Sequence, residues 1–175
     1  MIGVSSLRKY VLVVDFGYPE DPEELSTIDD LAQYVCDHYL VHRDDGWVIL
    51  AQSETYEALR QMGFWSNQII ELGVSQSTTV GGLRSGGSFE VVRAARDYLR
   101  AHEKRKPKVI TLVAHSLHAK RVVRQGQIVG LKLRPAPNLP EVLYKSAAQW
   151  WCRSKWGWYL REVIGYLPLK LTGQL

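Results

Sequence analysis

The sequence predicts an α/β fold, a three-layer α/β/α sandwich with a mainly parallel, Rossmann-like sheet. Short β-branched apolar runs alternate with segments of helical periodicity along the chain. Such alternation implies right-handed crossovers, a parallel sheet and helices on both of its faces. The run from Val109 to Ala114 is apolar on both faces, as a strand buried inside a parallel sheet requires. That run ends abruptly in His115, Ser116, His118 and Arg121. In open α/β sheets ligands bind outside the carboxyl ends of the strands, where the next helix presents N–H groups and the positive end of its dipole.

Tyr10 to Asp15 reads as the first buried strand, followed by Phe16, Gly17 and an acidic, proline-containing loop. A helix is expected from about Glu23 to Tyr39, because Leu25, Ile28, Leu31, Ala32, Val35 and Tyr39 recur every three or four residues and acidic groups stand at its start. Trp47 to Ala51 is the second strand, and Ser53-Glu54 is expected to cap a helix reaching about Met62. Gln68 to Leu72 is a short third strand.

Residues 73–88 are rich in Ser, Thr and Gly and read as a loop. The helix that follows, from Phe89 to His102, carries one apolar stripe of Val91, Val92, Ala95 and Leu99. After the Val109 strand and the helix bearing Arg121, Leu131 to Arg134 is expected as the last strand, with Pro135, Pro137 and Pro140 forcing an extended connection. Trp150, Trp151, Trp156 and Trp158 lead into a terminal helix through Tyr159, Leu160, Val163 and Ile164. The tryptophans are expected to pack as a lid over the sheet edge, since aromatic side chains bury large areas.

At 175 residues the chain has the length of one ordinary domain, and residues 1–175 are read as one. No apolar run reaches the length of a membrane span and no signal peptide is recognisable at the start, so a cytoplasmic protein is expected. Cys36 and Cys152 stand far apart without a metal-ligand pattern, which argues against a disulfide framework or structural zinc and for inert thiols. The net charge of +4 hides a division: residues 1–99 hold 7 Lys and Arg against 15 Asp and Glu, and residues 100–175 hold 15 against 3. Such asymmetry can mark a nucleic-acid surface. Two halves of one domain that neutralise each other explain it as well, and basicity alone discriminates poorly.

The chemistry concentrates at the strand ends. His118 and Arg121 lie one helical turn apart on one face. His118 is a candidate general acid or base near neutral pH, and Arg121 a planar fork for phosphate or carboxylate. The competing reading makes His118 a helix cap and Arg121 the partner of a surface acid. Two histidines at His115 and His118 lack a third metal ligand at a suitable spacing, so no metal is assigned. Ser85, Gly86, Gly87 and Ser88 offer backbone N–H groups that glycine lets approach a ligand, without any Walker-type pattern. Asp15 is a candidate to hold a ribose hydroxyl or orient His118, and Glu54 to contribute from the second strand end. Ser116 lacks the Gly-x-Ser-x-Gly elbow of an α/β-hydrolase.

Four groups of residues, Ser53-Glu54, Ser85-Gly86-Gly87-Ser88-Phe89-Glu90, His118-Ala-Lys-Arg121 and Arg161-Glu162-Val-Ile-Gly165, occur in an order that resembles the YdcF/SanA/ElyC family of unknown-function domains over most of the chain. There are departures. Asp15-Phe-Gly17 stands where that family has a glycine-rich turn, Ala51-Gln-Ser53 where it often has Ser-Gly-Gly, and Gly87-Ser88 where its Asn-Thr pair falls. The resemblance implies a Rossmann-like fold and a nucleotide-like or S-adenosylmethionine-like ligand. Membrane-anchored relatives in that family are associated with envelope polysaccharide and peptidoglycan maintenance.

Together these readings give a protein that binds a nucleotide-like or other anionic small molecule at the carboxyl ends of its strands. The alternative is an enzyme acting on a nucleotide-like or phosphorylated envelope-precursor substrate with His118 as acid or base. Nucleic-acid binding ranks after both.

Overall fold

The computed structural model describes residues 8–15, 27–41, 46–65, 67–74, 87–103, 107, 109–140, 154–157, 159–160 and 163–164. Five strands form one all-parallel sheet: β1 (Lys9–Val14), β2 (Trp47–Ala51), β3 (Ile69–Glu71), β4 (Ile110–Ala114) and β5 (Leu133–Pro135), in the order β3-β2-β1-β4-β5. The helices are α1 (Thr27–Val35), α2 (Ser53–Gln61), α3 (Ser88–His102) and α4 (Ser116–Ile128). This strand order is that of the first five strands of a Rossmann fold, and the fold is Rossmann-like. The chain leaves β1 toward β2 and β3, then returns to β4 on the other side of β1. The sheet therefore has its topological switch point between β1 and β4.

Strand alternation makes two apolar layers. Val11, Val13, Ile49, Ala51 and Val113 pack with Leu31, Val35 and Leu59 of α1 and α2. Leu12, Val14, Leu50, Leu112 and Ala114 face Val91, Val92, Ala95, Leu99 and Val122 of α3 and α4. Both faces of β1 and β4 are covered, which is why these strands read as continuous apolar runs. At Gly126 in α4 an added Cβ would lie 2.7 Å from Leu133 Cδ1, so the missing side chain lets α4 settle against β5.

Several boundaries differ from the sequence expectation. The first helix is described from Thr27 and passes at Cys36–Leu40 into a π-helical turn; its expected start at 23–26 lies outside the described residues. Helix α2 is capped at Gln52, which holds the extended conformation, instead of at Ser53-Glu54. The Ser53 hydroxyl donates to Glu71 Oε1 at 2.7 Å, because the parallel β3 brings that carboxylate alongside. The last strand is Leu133–Pro135 and so ends inside the expected proline connection. Proline is tolerated there because β5 is an edge strand, paired with β4 alone.

At Trp156 the expected tryptophan lid needs a larger correction. Trp156 is 84% exposed, and Tyr159, Leu160, Val163 and Ile164 are exposed as well. They recur at helical spacing and residues 155–157, 159–160 and 163–164 are helical, but the stripe faces solvent. Periodicity establishes that a face is apolar; it does not establish what that face meets. Trp150, Trp151 and Trp158 lie outside the described residues.

Buried phenols give the fold an alkaline limit. Tyr10 donates to Glu103 Oε1, and burial followed by that carboxylate pushes its pKa up to about 12. Tyr39 is pushed up to about 12 by burial and by Tyr34. The unfolded chain ionises these groups near 10, so between the two values the folded state holds more protons and loses stability as pH rises. Burial also pushes the Cys36 thiol up to about 11, so denaturant midpoints are expected to be flat only up to about pH 9 and to fall from there to pH 12, with roughly 2–3 kcal/mol lost for each of the three groups. A midpoint unchanged over that window would contradict the assignment.

Candidate functional site

The parallel register brings three strand exits to one edge. Val14 pairs with Ala114, so Asp15 and His115 leave the sheet side by side at the switch point, and Gln52 leaves β2 on the other side of β1. Helix α3 runs back toward the start of β4, and α4 begins directly after it, so both present their N-termini at this edge.

Here the protein buries polar groups. Asp15, Gln52, Thr55, His115, His118 and Arg121 are all buried, and the one other buried polar side chain among the described residues, Gln125, lies further along α4; the remaining described core side chains are apolar. Buried polar side chains cost stability unless hydrogen-bonded, so their collection in one place is informative. Asp15 Oδ2 accepts from Thr55 Oγ1 at 2.8 Å, which holds the carboxylate toward α2. The His115 carbonyl accepts from the N–H groups of His118 (2.8 Å) and Ala119 (3.0 Å) and so opens α4. The Ser116 N–H donates to the Pro140 carbonyl at 3.1 Å, tying the start of α4 to the segment after β5.

His118 is fully buried and Arg121 is 6% exposed. Arg121 Nη2 donates to His118 Nδ1 at 2.9 Å. The guanidinium therefore lies along the imidazole, within the body of the protein and not on its rim.

Gly87 caps α3 with its carbonyl, which accepts from Glu90 N–H at 2.8 Å, and Ser88 is the first helical residue. Ser85 and Gly86 lie outside the described residues, as do Arg161, Glu162 and Gly165. Glu54 occupies a different environment. It lines a cavity of about 440 Å³ between α1 and α2 together with Asp29, Ser53 and Glu57. Burial, with the charge of Asp29 beside it, holds the neighbouring Asp30 above the usual carboxylate range. The three carboxylates of Asp29, Glu54 and Glu57 on one lining repel an anion, so Glu54 suits a hydroxyl or amine and not a phosphate.

Sequence reading passed over Gln52, Thr55 and Gln125. Gln52 is 1% exposed, and among the described residues its Nε2, like Ser116 Oγ and Gln125 Oε1, is buried without a hydrogen-bond partner. Its position directly after a buried strand was the available signal. Gln125 lies two helical turns beyond His118, in the last turn of α4 and so away from this edge, on the face that also carries Arg121.

Fold and site together define a Rossmann-like α/β protein with a polar cluster at the carboxyl edge of its sheet. Comparison with family models, curated proteins and solved structures finds no match to this chain. Among the described residues no helix is long and apolar enough to cross a membrane, and no group of three or more His, Cys, Asp or Glu is placed to hold a metal.

Proposed function

We propose that this protein binds a nucleotide-like or other anionic small molecule at the carboxyl edge of its sheet, beside the switch point, as a YdcF-like domain would. The observation that carries the reading is the buried amide of Gln52, whose Nε2 lacks a hydrogen-bond partner among the described residues, on the edge that also buries Arg121 and His118. An unsatisfied buried donor costs about 1–3 kcal/mol, and an acceptor-rich ligand removes that cost. The N-termini of α3 and α4 add positive dipole ends on the same edge. The acidic cavity beside Glu54 suits the hydroxyl-bearing part of such a ligand, with Asp15 a second candidate for a ribose hydroxyl. Ser88 and Gly87 stand where α3 would meet a phosphate.

A thermal-shift panel of inorganic phosphate, nucleoside phosphates, nucleotide sugars and S-adenosylmethionine tests the reading. A ligand at a hundredfold its Kd stabilises the native state by about 2.7 kcal/mol. At least one member is expected to raise Tm, and Gln52→Ala is expected to reduce the rise. A panel without effect, or a rise that Gln52→Ala leaves intact, would refute the site.

A further inference from the structure

The contact between Arg121 and His118 decides more than orientation. A guanidinium has N–H donors and no acceptor, and it keeps its proton throughout the accessible pH range. The 2.9 Å bond from Arg121 Nη2 to His118 Nδ1 therefore requires a lone pair on Nδ1. A neutral imidazole with its lone pair on Nδ1 carries its single proton on Nε2.

We infer that Arg121 is a positioning residue that holds His118 as the neutral Nε2–H tautomer, so that His118 serves as a hydrogen-bond donor to a phosphoryl or carboxylate oxygen and not as an acid or base. Accepting a proton at Nδ1 would set two donors against each other and break the contact. Giving up the Nε2 proton would leave an imidazolate. Neither nitrogen is available for proton transfer while the bond stands, but a neutral imidazole N–H in a dry site can still polarise an oxygen. Both side chains are buried, which strengthens the bond and keeps water from competing for Nδ1. The inference rests on the proposed ligand site only for the identity of the acceptor; the tautomer is a property of the protein alone.

Long-range ¹H–¹⁵N correlation spectra of the full, uniformly labelled chain separate these states. The chain has five histidines, and His118 is assigned as the imidazole whose signals vanish in His118→Gln. The wild-type protein near neutral pH is expected to show His118 protonated at Nε2 alone. Arg121→Lys, which keeps a donor, is expected to preserve that pattern. Arg121→Met is expected to lose it, giving a mixture of tautomers or an imidazolium. A wild-type His118 protonated at Nδ1, or at both nitrogens, would overturn the inference, and so would an unchanged pattern in Arg121→Met. Should Arg121→Met fail to fold, the wild-type spectrum and Arg121→Lys still decide. Titration with inorganic phosphate separates the two proposals: a silent titration with the Nε2–H pattern intact counts against phosphate at this site and leaves the tautomer standing.

Discussion

Leu12→Ala is expected to lower the stability of this protein by about 3–5 kcal/mol. Leu12 lies in the central strand, register-paired with Leu50 on one side and Leu112 on the other, and is fully buried in the α3/α4 layer. Truncation removes the transfer energy of the side chain and leaves a cavity that three hydrogen-bonded strands cannot close by collapsing. The loss is a large part of the roughly 5–15 kcal/mol that holds a domain folded. At about 2–4 °C per kcal/mol for this size, Tm should fall by roughly 6–20 °C in calorimetry. Leu160→Ala, on the exposed stripe of the terminal helical turns, is expected to change stability by no more than about 0.5 kcal/mol. Equal losses in the two variants would show that the terminal stripe is docked after all.

Arg121→Ala is expected to weaken an anionic ligand at the strand edge by about 2–5 kcal/mol, a factor of roughly thirty or more in Kd. The size follows from burial: a charge within the protein acts through a lower effective dielectric than one on the rim. Arg100→Ala is the matched control. Arg100 is exposed in the last turn of α3, which the antiparallel run of that helix places at the opposite edge of the sheet. It removes the same formal charge and should leave affinity nearly unchanged. His118→Ala is expected to raise Kd as well, since a neutral donor acts through binding; if the protein proves to turn over a substrate, a fall in kcat with KM unchanged would instead mark a role in the chemistry. Isothermal titration of the three variants with the strongest ligand of the thermal-shift panel checks all of these. Wild-type affinity in both Arg121→Ala and His118→Ala would reduce this helix start to a structural cap.

Much of the fold was legible in the chain because burial on both faces leaves a direct imprint. Tyr10 to Val14, Trp47 to Ala51 and Ile110 to Ala114 are apolar at nearly every position because neighbouring strands and helices cover both sides of the sheet. The stripe of Val91, Val92, Ala95 and Leu99 was visible for the same reason and is wholly buried. Ends were harder. Whether Gln52 or Ser53 caps α2 turns on one residue's backbone angles and on Glu71 arriving from another strand, and no local pattern carries that.

What the sequence determined by itself is therefore the set of elements, their alternation and the edge at which polar groups accumulate, since each follows from periodicity and from the abrupt end of an apolar run. The tertiary structure alone decided which of those groups meet and in what state. It set Thr55 on Asp15, moved Glu54 into an acidic cavity, buried Gln52 and turned Trp156, Tyr159, Leu160, Val163 and Ile164 outward. It also laid the Arg121 guanidinium on Nδ1 of His118. A one-dimensional pattern specifies which side chains share a face of one element, whereas a hydrogen bond between elements, or a tautomer set by one, depends on distances that exist only once the sheet has formed.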